Sequence, residues 1–229
     1  MASAKFGNII VDMRGKINGN VYSKNKGGAY VRVRVKPSNP RTSFQVGVRS
    51  ILTSLSQGWK SLTATEIAGW NAAAIQFPKS NRVGDKHVIN GNSLYVALNK
   101  NLADVGISAI STPPVPTSVA TVAVTTATAS AGGDTITLTL TGAVPTATSL
   151  KLFMSPAVSA GVSSIGTKMR QIASYAAAHA AALAPTSAYT ARLGNVGAAG
   201  EKIFYKIVPV STVNGQAGAP TSGVIVIGA

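Results

Sequence analysis

Residues that could carry out acid–base, nucleophilic or metal chemistry are scarce in this chain. Its 229 residues include six Asp and Glu and two His but no Cys, against 21 Lys and Arg. The lack of Cys excludes disulfides, thiolate metal ligands and a cysteine nucleophile. Asp12, Glu66, Asp85 and Asp104 fall on separate predicted elements, and neither His has a partner at metal-ligand spacing. Because enzymes of these kinds gather several such groups in one pocket, we predict a chain that is not an enzyme and that uses no metal or cofactor.

Positive charge is the one chemically distinctive feature. Residues 1–110 hold 15 Lys and Arg against four Asp and Glu, whereas 111–229 hold six against two. We predict a basic contact face made of Tyr30, Arg32, Arg34, Lys36, Arg41, Arg49 and Lys60. Arginines beside an aromatic ring suit phosphate contacts and base stacking. An acidic protein surface or plain solvation would suit the same residues, and the sequence leaves these three alternatives open.

Short strand patterns at the N-terminus predict a β meander. They cover 8–13, 16–23 and 29–35, and an Asn-Gly pair at 18–19 is a turn or bulge signal. In the last strand, valines alternate with Tyr and Arg, so the predicted strand has one apolar face and one basic face.

Three helix patterns follow the meander. Apolar residues recur at spacings of three and four from about 43 to 59. Thr63 and Glu66 match a capping box that begins a second helix, which Pro78 ends. A third apolar stripe runs from 94 to 105. Strands and helices together predict an α+β N-terminal domain, a β meander plus three helices.

A run of prolines divides the chain. Residues 111–117 contain three Pro, which predicts a semi-rigid linker between a domain at 1–110 and a domain at 118–229. The second domain has seven candidate strands, at 118–125, 135–141, 149–154, 169–173, 189–193, 202–210 and 223–227. Short strands separated by turn residues predict an all-β sandwich. The Ala-rich segment 171–184 is left open between helix and strand or loop.

The C-terminal half resembles a fibronectin type III or Ig-like domain. The resemblance rests on the stretch 201–210 with its alternating Tyr205, on the Asn-Gly turn at 214–215, and on the final apolar strand at 223–227. It implies an Ig-like β-sandwich over 118–229.

Blocks in the N-terminal half resemble proteins encoded in tailed-bacteriophage genomes. The blocks are 15–25, 28–42, 59–63 and Trp70, in that order. The resemblance implies a virion protein, either capsid-associated (a decoration protein) or a head–tail component, that acts by protein–protein assembly. The expected partners are other capsid or tail proteins in a symmetric multi-copy assembly, together with packaged DNA. The expected location is the virion, assembled in the cytoplasm of the bacterial host. Three long uncharged stretches are interrupted by Pro and polar residues, so no membrane partner is expected.

Two alternatives remain. Asn39-Pro40, the helix at 43–57, the stretch 59–63, Glu66 and Trp70 are similar to the last two helices of an HMG box, which implies a DNA-associated architectural protein. If the two tryptophans instead pack in a hydrophobic core, the two helices are an ordinary helical pair. The second alternative, a displayed module that binds a host surface or carbohydrate, rests on analogy with other Ig-like domains.

Overall fold

The computed structural model describes residues 2–3, 7, 10, 12–25, 28–80 and 86–229. Parts of the strand predicted at 8–13 and of the loop after the second helix therefore lie outside the described residues. The described residues contain both helices and strands, so the α+β prediction is confirmed. Contacts divide the chain into two compact units, Met1–Val46 and Gly47–Ala229, and each is described here by itself. The predicted linker at 111–117 lies inside the second unit.

Unit 1, residues 1–46, contains a small antiparallel sheet with strand order β1-β4-β3-β2. Its strands are β1 (Ala2–Ser3), β2 (Gly15–Ile17), β3 (Asn20–Asn25) and β4 (Gly28–Val33). Asn18 and Gly19 connect β2 to β3, and Asn18 has a φ of 51°. A two-residue hairpin loop requires positive φ, which Asn and Gly adopt most readily. The predicted Asn-Gly turn is therefore present.

Three helices and a two-stranded ribbon open unit 2. They are α1 (Ser43–Ser61, whose first residues belong to unit 1), α2 (Ala64–Ala74), β5 (Lys79–Ser80), β6 (Lys86–His87) and α3 (Gly91–Asp104). The predicted capping box is formed: the Thr63 hydroxyl accepts from the Glu66 N–H at 3.3 Å, and the Glu66 carboxylate accepts from the Thr63 N–H at 2.8 Å. An unpredicted cap begins α3, where the Asn90 side chain accepts from the Ser93 N–H at 2.8 Å.

The helices share a hydrophobic core centred on aromatic residues. Trp70 is fully buried, and its indole N–H donates to the Ser111 carbonyl at 2.6 Å. The ring of Tyr95 lies 5.2 Å from that of Trp70 and 5.5 Å from that of Trp59. Offset and edge-to-face contacts of this kind stabilise cores. The tryptophans that carry the HMG-like pattern are therefore packed against α3.

The rest of unit 2 is a seven-stranded sheet with strand order β10-β9-β12-β13-β7-β8-β11. Its strands are β7 (Val124–Ser130), β8 (Thr135–Leu140), β9 (Thr148–Met154), β10 (Arg170–Tyr175), β11 (Ala182–Leu183), β12 (Lys202–Ser211) and β13 (Thr221–Gly228). All neighbours are antiparallel except β13 and β7, which pair in parallel at Ile227↔Ala129 and Gly228↔Ser130. The sheet curls so that residues of β8, such as Ile136, share one core with Leu152 of β9 and Ile207 of β12.

Two strand predictions in this half are wrong. The segment 189–193 lies in a helix, α4 (Thr186–Leu193), which buries the whole of Tyr189 in the sheet's core. A single buried anchor does not distinguish a helix from a strand in the sequence. The strand predicted at 118–125 lies instead at 124–130. The prediction failed because the core-facing residues of this strand include Ala127 and Ala129, whose small side chains give little hydropathy contrast. The open segment 171–184 contains strand residues up to Tyr175, then turns and the short β11.

The helical core and the sheet meet at a loop between β12 and β13. Gly215 in this loop has a φ of +70°, and a β-carbon there would collide with the backbone of Leu98 in α3. The same loop also contacts the end of the proline-containing segment 111–117. There the Asn214 side chain donates to the Thr117 hydroxyl at 2.9 Å. Only glycine fits where two backbones approach this closely, because any other residue would place a β-carbon between them.

Candidate interaction surface

Cross-strand pairing gives the sheet of unit 1 two chemically different faces. Lys16 pairs with Val21, and Val21 pairs with Arg32, so these three side chains form one row. Tyr30 lies two residues from Arg32 and therefore shares that face, which we call the basic face. The prediction that Tyr30 and Arg32 lie on one face of a strand is confirmed. Sequence patterns missed Lys16 and Val21, although a two-residue Asn18-Gly19 turn by itself fixes the pairing of 17 with 20 and of 16 with 21.

The opposite face of this sheet is mostly apolar, although Lys24, which pairs with Ala29, also lies on it. Ile17, Asn20 and Val33 form one row, and Tyr22 and Val31 form the next. Ile17 is 56% exposed and Val33 is 69% exposed. We call these five residues the apolar face. Apolar side chains on a strand stabilise a protein only when other apolar groups cover them, and those of Ile17 and Val33 are exposed.

The remaining predicted basic residues of unit 1 follow β4. The backbone N–H of Arg34 donates to the Gly19 carbonyl at 2.7 Å, which extends the pairing one residue past the strand. Lys36 and Arg41 lie in the exposed segment that leads to α1, and Arg41 has a φ of 49°. The structure therefore brings Tyr30, Arg32 and Arg34 together along one chain segment.

Arg49 and Lys60 belong to unit 2. Both are exposed on α1, and eleven residues separate them. Eleven residues are about three helical turns, so the two side chains share one side of α1. The buried residue of this helix, Leu55, lies on the other side. These two cations form a second, separate basic feature.

The described side chains of unit 1 form no buried core. Among the side chains described between residues 12 and 46, none is buried, and those of the strands are at best half-buried. The start of α1 is also exposed, with Phe44 at 53% and Val46 at 50%. Sheets this small need packing on one face to be stable.

The ionisable groups of unit 2 mostly have structural roles. The N–H and hydroxyl of Thr63 lower the pKa of Glu66, as expected for a capping carboxylate. Burial raises the pKa of Tyr175 and of Tyr189 to about 12, and the Tyr189 hydroxyl donates to the Ser155 carbonyl at 3.0 Å. In the part of the chain that the structure describes, no three His, Asp or Glu side chains come together as a metal site.

A second feature of unit 2 was not predicted from sequence. Lys151, in the middle of β9, is only 6% exposed and contacts Asn101 and Asp104 of α3. The sequence predicted a strand at 149–154 but did not single out Lys151. Lys151 is buried because α3 lies on the outer face of the sheet. No local sequence pattern contains that information.

A large cleft lies beside the proline segment. It has a volume of about 590 Å³ and is lined by Pro114, Val115, Val119, Ala147 and Val213, together with hydroxyl and amide side chains. None of its lining residues is charged, so the cleft offers apolar contact without acid–base groups.

No family model matches the chain, and no match was found among curated proteins or solved structures. Among the described residues, no helix has the length and apolar composition needed to cross a membrane.

Proposed function

We propose that the protein is a structural component of a bacteriophage virion that acts by protein–protein assembly, with unit 1 as its docking element. The observation that carries the proposal is a sheet in which none of the described side chains is buried, with one mostly apolar face and one basic face. Exposed aliphatic residues favour a protein partner, because burying them drives protein association. Nucleic acid offers them no comparable surface. The basic face favours acidic groups on that partner.

We further propose that the sheet of unit 2 is an Ig-like sandwich. Its first, second and fifth strands, β7, β8 and β11, are contiguous in the sheet, and so are β10, β9, β12 and β13. That partition is similar to the two sheets of fibronectin type III and Ig-like domains. A single core fed from both groups of strands supports the proposal. Such a module would pack on the particle or project from it.

The test is the protein content of purified mature particles of the phage whose genome encodes the chain. Quantitative mass spectrometry should detect the full chain at a fixed ratio to the major capsid or tail proteins. Its absence from mature particles would refute the proposal. The docking element is tested by supplying variants in trans: Ile17→Lys with Val33→Lys places two charges on the apolar face, and Val21→Lys with Ser23→Lys places two on the basic face.

We expect the apolar-face double variant to be lost from particles and the basic-face double variant to be retained. Each lysine pair adds the same charge to the same sheet, so a folding defect caused by charge alone affects both. Equal incorporation of the two variants would contradict docking through the apolar face. Circular dichroism of the purified variants shows whether the rest of the chain keeps its fold.

A second candidate, DNA association, is favoured by one observation: Lys16, Arg32 and Tyr30 lie on one face. Cations that contact phosphates release counterions, so the affinity for DNA must fall as the salt concentration increases. A plot of the logarithm of the affinity against the logarithm of the salt concentration should have a slope of about −1 for each phosphate contact. Duplex binding by the full chain is measured across a salt series, with Lys16→Ala and Arg32→Ala as variants. Absence of binding at low salt, or an affinity without salt dependence, excludes this candidate.

A further inference from the structure

Three polar side chains, one buried and two half-buried, form a cluster where α3 lies on the sheet. The Lys151 Nζ donates to the Asn101 Oδ1 at 2.7 Å and lies 3.4 Å from the Asp104 Oδ2. Asn101 and Asp104 are three residues apart on α3 and therefore share one side of the helix. Side-chain exposure is 7% for Lys151 and 12% for Asp104. An amine, a carboxamide and a carboxylate thus meet in a site that largely excludes water.

The arrangement places a nucleophile beside an electrophile. The 2.7 Å hydrogen bond holds the Lys151 amine next to the Asn101 Cγ, the carbon that carries Oδ1. The Asn101 Nδ2 donates to the Gly215 carbonyl at 2.9 Å, which fixes the orientation of the carboxamide. Holding two reacting groups in contact removes much of the entropic barrier of a reaction between them.

Burial also activates the amine. Desolvation lowers the pKa of Lys151, although the nearby Asp104 carboxylate opposes that shift. A desolvated lysine loses its proton more readily, and the neutral amine is the nucleophilic form. Asp104 is also paired with Lys100, so its carboxylate lies between two lysine amines.

We propose that Lys151 and Asn101 join in an intramolecular isopeptide bond, with Asp104 carrying the proton. The Lys151 ammonium gives a proton to the Asp104 carboxylate, and the free amine attacks the Asn101 Cγ. The new Nζ–Cγ bond forms, the Cγ–Nδ2 bond breaks, and the protons of the attacking nitrogen pass through Asp104 to the departing nitrogen. The products are a secondary amide and one ammonium ion, with no oxidant, reductant or metal required.

The bond would tie α3 covalently to the middle of β9. It would close a loop of about fifty residues, which restricts the unfolded chain and so stabilises the folded one. Cross-linking of this kind suits a protein that must resist mechanical or thermal stress. The inference does not depend on the proposed function, because it rests only on contacts inside unit 2.

The test is the intact mass of the full-length protein, purified after folding. We expect a mass below that of the sequence by one ammonia. Cyclisation to succinimide at the Asn-Gly pairs, at 18–19, 90–91 and 214–215, loses the same mass, so the site must be located by peptide mapping. A linked Lys151 resists trypsin. Digestion with trypsin and then with a protease that cleaves before Asp should release residues 101–103 attached through Lys151 to residues 134–168.

Variants identify the residues that the reaction needs. Lys151→Met and Asp104→Asn should keep the full sequence mass, whereas Lys168→Met, which removes an exposed lysine, should lose one ammonia as the wild type does. Wild-type chain that has never folded, recovered unfolded from inclusion bodies or made by chemical synthesis, should have the full mass and should lose ammonia only after folding. If the folded wild-type chain keeps the sequence mass after prolonged incubation and gives the separate peptides 101–103 and 134–151, the proposal is wrong and the cluster is a noncovalent ion pair.

Discussion

Replacing Gly215 with Ala is the sharpest perturbation of the contact between α3 and the sheet. Gly215 has a φ of +70°, and a β-carbon there would lie 2.9 Å from the carbonyl carbon of Leu98 and 3.0 Å from the Leu102 Cγ. The Leu98 backbone belongs to a helix and cannot move alone. Gly200 provides a matched control, since its φ is +87° but no atom lies within 4 Å of a β-carbon built there.

The two substitutions separate a conformational cost from a steric cost. An L-residue forced into the left-handed region costs about 1–2 kcal/mol, and both variants bear that cost. Overpacking a tight contact costs about 1–3 kcal/mol more, and only Gly215→Ala bears it. We therefore expect the free energy of unfolding to fall by about 1–2 kcal/mol for Gly200→Ala and by about 2–5 kcal/mol for Gly215→Ala.

Denaturant unfolding measures the difference and also shows where it acts. Both tryptophans of the chain, Trp59 and Trp70, lie in the helical part, so their fluorescence reports on the helices, while circular dichroism reports on the whole chain. We expect the two transitions to coincide in the wild type and to separate in Gly215→Ala. Making both variants in a Lys151→Met chain removes any contribution from a covalent link. Equal losses for the two glycine variants would refute the argument that the loop is wedged against α3.

Three further predictions concern single contacts. Thr63→Ala should lower the free energy of unfolding by about 1 kcal/mol, the usual cost of an N-cap, as measured by thermal denaturation. The pKa of Glu66 is lowered in the folded state, so the stability difference between the wild type and Thr63→Ala should be complete at neutral pH. The difference should decrease as the pH falls through that lowered pKa. A difference that grows in acid would contradict the capping role. Leu152→Ala should cost about 2–5 kcal/mol in denaturant unfolding, whereas Thr137→Ala on the exposed side of β8 should cost far less. Burial raises the pKa of Tyr189 from 10.0 to about 12, so stability should fall as the pH rises from 10.0 to about 12. Because the pKa of Tyr175 is raised to about 12 as well, an ultraviolet absorbance titration should show late ionisation of two tyrosines, and Tyr189→Phe should remove one of the two.

Local patterns predicted the elements that depend on local chemistry. The capping box at Thr63, the bounds of the first and third helices to within a few residues, and the alternation along β4 all follow from neighbours in the sequence. Failures occurred where distant parts of the chain decide the structure. The segment around Tyr189 was predicted as a strand but forms a helix whose one large side chain is buried in the sheet's core. The strand β7 was predicted too early in the chain, because the alanines among its inward residues give little hydropathy contrast.

The candidate site shows the same division. Alternation predicted that Tyr30 and Arg32 share a face, but only the pairing of three strands adds Lys16 to them. Lys151 is the extreme case, because its partners Asn101 and Asp104 lie 50 and 47 residues earlier in the chain. No window of sequence contains both ends of such a contact, and the surrounding strand pattern favours exposure.

Charge and burial together support the proposal that unit 1 docks on a partner. Nine Lys and Arg stand against a single Asp within residues 1–46, so its cations repel one another at low salt. Burial cannot offset that repulsion, because no described side chain between residues 12 and 46 is buried. An apolar and acidic surface on a neighbouring subunit would remove both costs at once, by covering Ile17 and Val33 and by pairing with Lys16 and Arg32.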